Sequence, residues 1–315
     1  MKKYLLMAVC IIMMSMTASA ISINKALLDH NGTVTLYDGL QEAINASADG
    51  DIIYLTLGTF KAPITVSKKI TIRGTGETSI IDGDVSISIP GSAKLTSPVL
   101  EALAVSGTVN IGAQVDDMII RKCKIANFTI AAQVEGAVLD RCWITSDLTL
   151  SSYIKGMTVV NSWINWLGAN SGATSNTTFV NCFISKLNYS DFSATIINSI
   201  IYGGGFSSGI SYHGTDYASV TINSTVLINT LINTNYITIG SSSVAQNCYK
   251  VKNPSTDSAS LQSNSYFGTD GTIVGRYGGD TPYTLKPSVP KVTSSSLDLD
   301  LEKKELNVKL TISPQ

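Results

Sequence analysis

Charge is scarce in this chain of 315 residues: Asp, Glu, Lys and Arg make up 14% and the net charge is −1. Between residues 151 and 250 the only Asp, Glu, Lys or Arg residues are Lys155, Lys186, Asp191, Asp216 and Lys250. A balance this even, falling to −3 without Lys2 and Lys3, argues against nucleic acid and acidic membrane surfaces as partners. Histidine is represented only by His30 and His213, too far apart in the chain to form a histidine metal cluster. Nucleophile elbows and phosphate loops are missing as well. Beyond the first twenty residues no run is long and apolar enough to span a bilayer.

The start of the chain does carry a signal. Lys2 and Lys3 precede an apolar run from Tyr4 to Met14, and Ala18-Ser19-Ala20 stands before Ile21. The pattern is that of a secretory signal peptide over 1–20, so the protein is expected to be exported to a periplasmic, cell-surface or extracellular location. The domain reading is residues 21–250 as one folded unit and 251–315 as a closing tail.

What fills the middle is a repeat. The windows IIRKCKI, VLDRCWI, TVVNSWI, TFVNCFI, TIINSII, VTINSTV and VAQNCYK centre on Cys123, Cys142, Ser162, Cys182, Ser199, Ser224 and Cys248, at steps of 19, 20, 20, 17, 25 and 24. One β-rich segment per copy, turn residues in the gaps and no helical pattern between copies predict a solenoid of strands, a parallel β-helix. Each residue then lies over its counterpart in the next rung at about 4.8 Å. Asn161, Asn181, Asn198, Asn223 and Asn247 are expected to line a tight bend, where Asn tolerates left-handed geometry and can bond to the amide above. The bend should be more exposed at Lys122 and Arg141, which replace Asn. The four cysteines after the signal share one position with Ser, and are read as small, buried and free; Cys123 and Cys142, on adjacent rungs, are the one candidate pair.

Ahead of the repeats, YDGLQEAINASADGDIIYLTLGTF predicts a short amphipathic helix from Asp38 to Ala46, with Leu40, Ala43 and Ile44 on one face, covering the open end of the solenoid. Strands are expected at 64–66, 70–72, 80–81 and 85–89. LQEAINASADGDIIYLTLGTF followed by ITVSKKITIRGTGETSIIDG resembles the opening of the pectin-lyase-like right-handed β-helix proteins. The resemblance spans residues 37–83 by motif and 84–250 by repeat. It implies an all-β, right-handed parallel β-helix, in a superfamily that holds lyases, hydrolases, esterases, phage tail proteins and adhesins. The tail GTDGTIVGRYGGDTPYTLKPSVP resembles the closing segment of β-helix proteins exported by Bacteroidetes-type bacteria. Alternation in LDLDLEKKELNVKLTI predicts a C-terminal β-hairpin, with tail and hairpin covering the last rung and an edge; the sharper reading is a docking or export signal, the hairpin pairing to a partner's sheet edge in a surface assembly.

Two sets of residues are candidates for function. Seven residues before the repeat centre stand Asp116, Glu135 and Lys155, in VDDM, VEGA and IKGM, with Asp117 alongside. Stacked, Asp116, Asp117 and Glu135 offer oxygens for Ca²⁺ and Lys155 a base, as the resemblance to polysaccharide lyases implies; the other reading is a solvated column of surface charge. Arg121 over Asp140 is a second expected pair. The hydrolase pattern of paired carboxylates fails, because Asp116-Asp117 and His213-Gly214 are several rungs apart. The second set is Trp143, Trp163 and Phe183, directly after the repeat centre on three successive rungs, with Trp166, Tyr189, Tyr202, Tyr212 and Tyr217 nearby. Facing outward they would form a flat strip for stacking on sugars of an extracellular polysaccharide or cell-surface glycan; facing inward they are core. The expectation is a non-catalytic glycan-binding or surface-structural role, with a polysaccharide lyase or glycoside hydrolase as the alternative.

Overall fold

The computed structural model describes residues 24–91, 93–151, 153–169, 176–187, 193–204, 217, 219–286, 291–300 and 305–313. The signal segment and Tyr189, Asp191, Tyr212, His213 and Asp216 lie outside these.

The chain forms a parallel β-helix. One sheet runs from the antiparallel pair Thr33–Tyr37 and Ala26–His30 through Ile52–Leu55, Thr71–Arg73, Pro98–Glu101, Ile119–Arg121, Ala137–Asp140, Met157–Val160, Thr177–Val180, Ala194–Ile197 and Val226–Ile228 to Val244–Gln246. A second sheet, turned from the first by one sharp corner per rung, runs from Gly58–Lys61 past Trp143–Leu150, Trp163–Ala169 and Phe183–Leu187 to Tyr249–Val251. A short third sheet joins Ala93–Lys94, Val115–Asp116 and Val134–Glu135. Strand alternation sends Ile120, Leu139, Val159, Phe179 and Ile196 inward in one column and Ile125, Ile144, Ile164 and Ile184 in another, all fully buried. Each rung therefore finds its apolar partners in the rungs on either side.

The corner explains the Asn-Cys/Ser pair. Residues Lys122, Arg141, Asn161, Asn181, Asn198, Asn229 and Asn247 all have φ between 46° and 53°, the left-handed region that Asn enters at least cost. The next residue points inward and repairs the backbone that the turn disrupts. Ser162 Oγ donates to Val160 O at 2.7 Å and accepts from the Cys142 N–H at 3.0 Å. Ser199 repeats this with Ile197 O and Cys182 N–H, while Cys182 Sγ donates to Val159 O and Val180 O at 3.2 and 3.3 Å. A small side chain with one donor is what the position requires, and thiol, hydroxyl and Thr230 all supply it.

Four expectations are corrected here. Register pairs Ile197 with Ile228 and places Asn229-Thr230, not Asn223-Ser224, in the corner column; Val220–Ile222 instead pairs with Ile237–Ile239 in a separate two-stranded sheet. Cys123, Cys142 and Cys182 are buried and free, but Cys248 is half-buried, because no rung follows it. Lys122 is buried rather than exposed, at 7%. Register does set Arg121 beside Asp140, but the ion pairs are others: Asp140 pairs with Arg141 at 2.5 Å, whereas Arg121 Nε and Arg73 Nε both reach Glu101, each at 2.7 Å. Burial alone would raise the Glu101 pKa, but the two guanidiniums outweigh it and hold the carboxyl below its usual range.

The ends are closed differently. Helix Leu40–Ala46 buries Leu40, Ala43 and Ile44 over the first rungs, as the sequence predicts. At the other end the inward positions of the last rung are Ala245 and Lys250, stacked on Leu227 and Ile232 and both exposed. The C-terminal hairpin, Lys291–Asp300 with Glu305–Ser313, pairs with itself in a sheet of its own.

Candidate functional site

Trp143, Trp163 and Phe183 stand on the outer side of the second sheet, alternating with buried Ile144, Ile164 and Ile184. Trp143 and Trp163 are face to face, centroids 4.6 Å apart and planes 7° off parallel. That distance matches the rung spacing, so rings repeated at one position stack upon each other along the helix axis. The flat strip expected for sugar stacking is replaced by a ladder that turns its edges, not its faces, to solvent. The series continues with Phe183 at 6.0 Å, Tyr202, Tyr217 and Tyr236.

The tail covers the ladder at Trp163 and Phe183. Helix Ser258–Ser263, capped by Asp257 on the Ser260 N–H at 2.9 Å, buries Leu261 against Ile200 and Leu231. Residues 264–286 then run back along the corner as a strap. Asn198 Oδ1 accepts from Thr269 N–H at 3.0 Å, the Gly275 N–H donates to Asn198 O at 2.7 Å, and Asn161 Nδ2 donates to Gly278 O at 2.6 Å. Asn181 Nδ2 lies 3.3 Å from Asp270 Oδ2. The amides expected to bond along the column thus bond to the strap instead. Its glycines mark the close approaches: a Cβ on Gly268 would meet the Asn198 amide at 2.5 Å and one on Gly275 (φ 89°) would meet Ile200 Cδ1 at 2.6 Å.

Arg276 closes the strap over the rings. Its guanidinium carbon is 4.0 Å from the Trp163 centroid, 4.7 Å from Tyr277, 5.4 Å from Phe183 and 5.5 Å from Tyr283, and Nη2 donates to Tyr277 Oη at 2.9 Å. Cation–π attraction of this kind contributes about 0.5–2 kcal/mol per contact. Burial pushes the Tyr283 phenol well up.

Beyond the strap the outer face opens into a groove of about 240 Å³, lined by Glu77, Ile80, Ala104, Val105, Ser106, Lys124, Ala126 and Thr145. Lys124 Nζ pairs with Glu77 Oε2 at 2.8 Å and lies 4.6 Å above the Trp143 ring. Trp143 is therefore held between Lys124 on one face and Trp163 on the other. The floor is apolar and the rim combines hydroxyls with an ion pair. Sequence reasoning missed Glu77 and Lys124, although Glu77 lies in GTGETSIIDG and Lys124 in the repeat window IIRKCKI, because nothing in either stretch shows that the two side chains meet; the ladder position that Lys124 shares with Trp143 is the one signal.

The carboxylate set lies on the third sheet. Register puts Asp116 beside Glu135, and Val134 beside Ile154, so Asp116, Glu135 and Lys155 do follow one another along a column. Lys94 heads that column opposite Asp116 and pairs with Asp117 at 2.9 Å, the hydrogen bond to Asp117 raising the Lys94 pKa. It escaped notice because Ser92-Ala93-Lys94 carries no repeat motif. Among the described residues no three carboxylate, thiol or imidazole groups are placed to hold a metal ion. Likewise among these residues, no helix is long and apolar enough to cross a membrane.

No family model, curated protein or solved structure matches this chain.

Proposed function

We propose that the protein is an exported, non-catalytic β-helix with a glycan-binding or surface-structural role, and that binding takes place in the groove before the strap. The observation that carries this reading is the joining of an apolar floor, Ala104 and Ala126, to the polar rim of Glu77, Ser106, Lys124 and Thr145 beside Trp143. Sugars present both a C–H face and hydroxyls, and need both kinds of surface. The groove is smaller than the roughly 300–1,000 Å³ of drug-sized ligand sites, which suits one sugar unit at a chain end or branch. A glycan panel read by calorimetry tests it: Lys124→Ala and Thr145→Val are expected to weaken a bound glycan at least tenfold, about 1.4 kcal/mol. Unchanged affinity in both variants would refute the groove.

A second reading, a polysaccharide lyase or glycoside hydrolase of the pectin-lyase-like kind, is supported by the shared column of Asp116, Glu135 and Lys155, although the Ca²⁺ expected with it finds no three ligands among the described residues. Its test is release of unsaturated or reducing ends, abolished by Lys155→Ala. Binding with no new ends favours the first reading.

A further inference from the structure

A β-sheet edge offers unpaired N–H and C=O groups to any strand that can reach it, and proteins blunt such edges with charge, proline, bulges or shortness. The first sheet has two edges. At the C-terminal end the outer strand is only three residues, Val244–Gln246, and although Val244 is 59% exposed, the strand is too short to offer a partner more than a few backbone groups. That edge is blunted.

The N-terminal edge is not. Strand Thr33–Tyr37, TVTLY, contains no charge and no proline, and among the described residues pairs on one side only, with Ala26–His30 in antiparallel register. Its inner-side residues lie opposite buried Ala26 and Leu28, while Val34 and Leu36 lie on the outer side and are 56% and 59% exposed. Leu57, in the loop after Ile52–Leu55, is 58% exposed at the same end. Two of the large apolar residues exposed among those described thus stand on this one open edge strand.

We infer that this edge pairs with the same edge of a second copy, making an isologous dimer with a continuous sheet across it. Antiparallel pairing about a two-fold axis through Thr35 is self-complementary: Val34 meets the partner copy's Leu36 and the reverse, Thr35 meets its own counterpart, and Thr33 meets Tyr37. Charge permits the arrangement. Asp38, which follows the strand, is already neutralised by Lys25, and faces Gly32 of the other copy beyond the strand end. A five-residue strand pair sits at the small end of specific interfaces, so the dimer is reversible and depends on concentration.

The experiment is light scattering and sedimentation on the chain starting at Ile21, from about 10 μM to about 1 mM, a range that spans weak association. The expected mass rises toward twice that of the monomer. Val34→Lys with Leu36→Lys, both on exposed positions, should stay monomeric with an unchanged thermal melt. In a Cys248→Ser background, Thr35→Cys should cross-link two copies under mild oxidation, whereas Leu57→Cys, equally exposed but off the axis, should not. A monomer at every concentration overturns the inference. So does a dimer that persists in the double lysine variant, or one lost only when residues 287–315 are removed, which would assign the contact to the C-terminal hairpin.

Discussion

The corner of the solenoid holds the same backbone shape at Lys122 and Arg141 as at Asn161, Asn181 and Asn198, yet the chemistry differs. Under the strap the corner is asparagine, and its amides and carbonyls make the strap's hydrogen bonds. Where Lys122 and Arg141 stand, the long side chain must bear both the left-handed backbone and, for Lys122, burial, which pulls its pKa down ahead of the repulsion from Arg141. The difference teaches that the Asn column has two tasks. Relieving the turn needs only a residue tolerant of positive φ; receiving the strap needs an amide.

The largest test of that contrast is Gly275→Val. It places a β-branched residue at φ 89° with its Cβ 2.6 Å from Ile200 Cδ1, and should cost about 2–4 kcal/mol with new protease cleavage between residues 264 and 286. A loss under about 1 kcal/mol would show that the strap adds little to stability.

Next comes pH, which separates cysteine corners from serine corners. Burial pushes the Cys123 and Cys182 thiols up to about 12, above their unfolded value near 9. Raised folded pKa values mean that the stability is complete below pH 9 and is lost as pH climbs toward 12. Each thiol contributes about 1.4 kcal/mol per pH unit there, so the pair withdraws about 3 kcal/mol by pH 10. Cys123→Ser with Cys182→Ser should make this alkaline limb shallower in urea melts, the rest being kept by the Cys142 thiol, which burial also pushes well up; Ser162 and Ser199 already fill the same position, and an identical limb in the variant counts against burial as its cause.

Asn181→Ala is expected to lose about 2 kcal/mol, and Asn181→Gly about 1, since glycine keeps the turn and forfeits only the bond to the strap. Equal losses would mean that backbone strain alone matters. The smallest effect has the opposite sign: Lys122→Asn should gain about 0.5–1 kcal/mol by easing strain and burial, and a thermal melt that falls instead would show that the lysine is needed for its contacts.

This contrast also marks what could be read in advance. The rung period, the capping helix Leu40–Ala46 and the left-handed Asn column were legible, because each follows from a local constraint restated every rung. Asn223-Ser224 imitated the motif, and Asn229-Thr230 was passed over, because an excursion lengthens that step to 31 residues from Ser199. The strap was invisible: nothing near Gly278 in the chain indicates Asn161. Of the candidate site, the outward Trp143–Trp163–Phe183 series was recognised as a series, but its stacking depends on rung geometry, and Glu77 joins Lys124 from 47 residues away.

The bond from Asn161 to Gly278 spans 117 residues. Rungs need only their immediate predecessor, so they can assemble in the order in which the chain is made, while the strap closes a long loop and can do so only after the final rung exists. A chain that stops anywhere short of the strap leaves its Asn column unanswered and its aromatic ladder bare. The strap therefore works as a check on length: only a chain that runs past Gly278 can fasten itself.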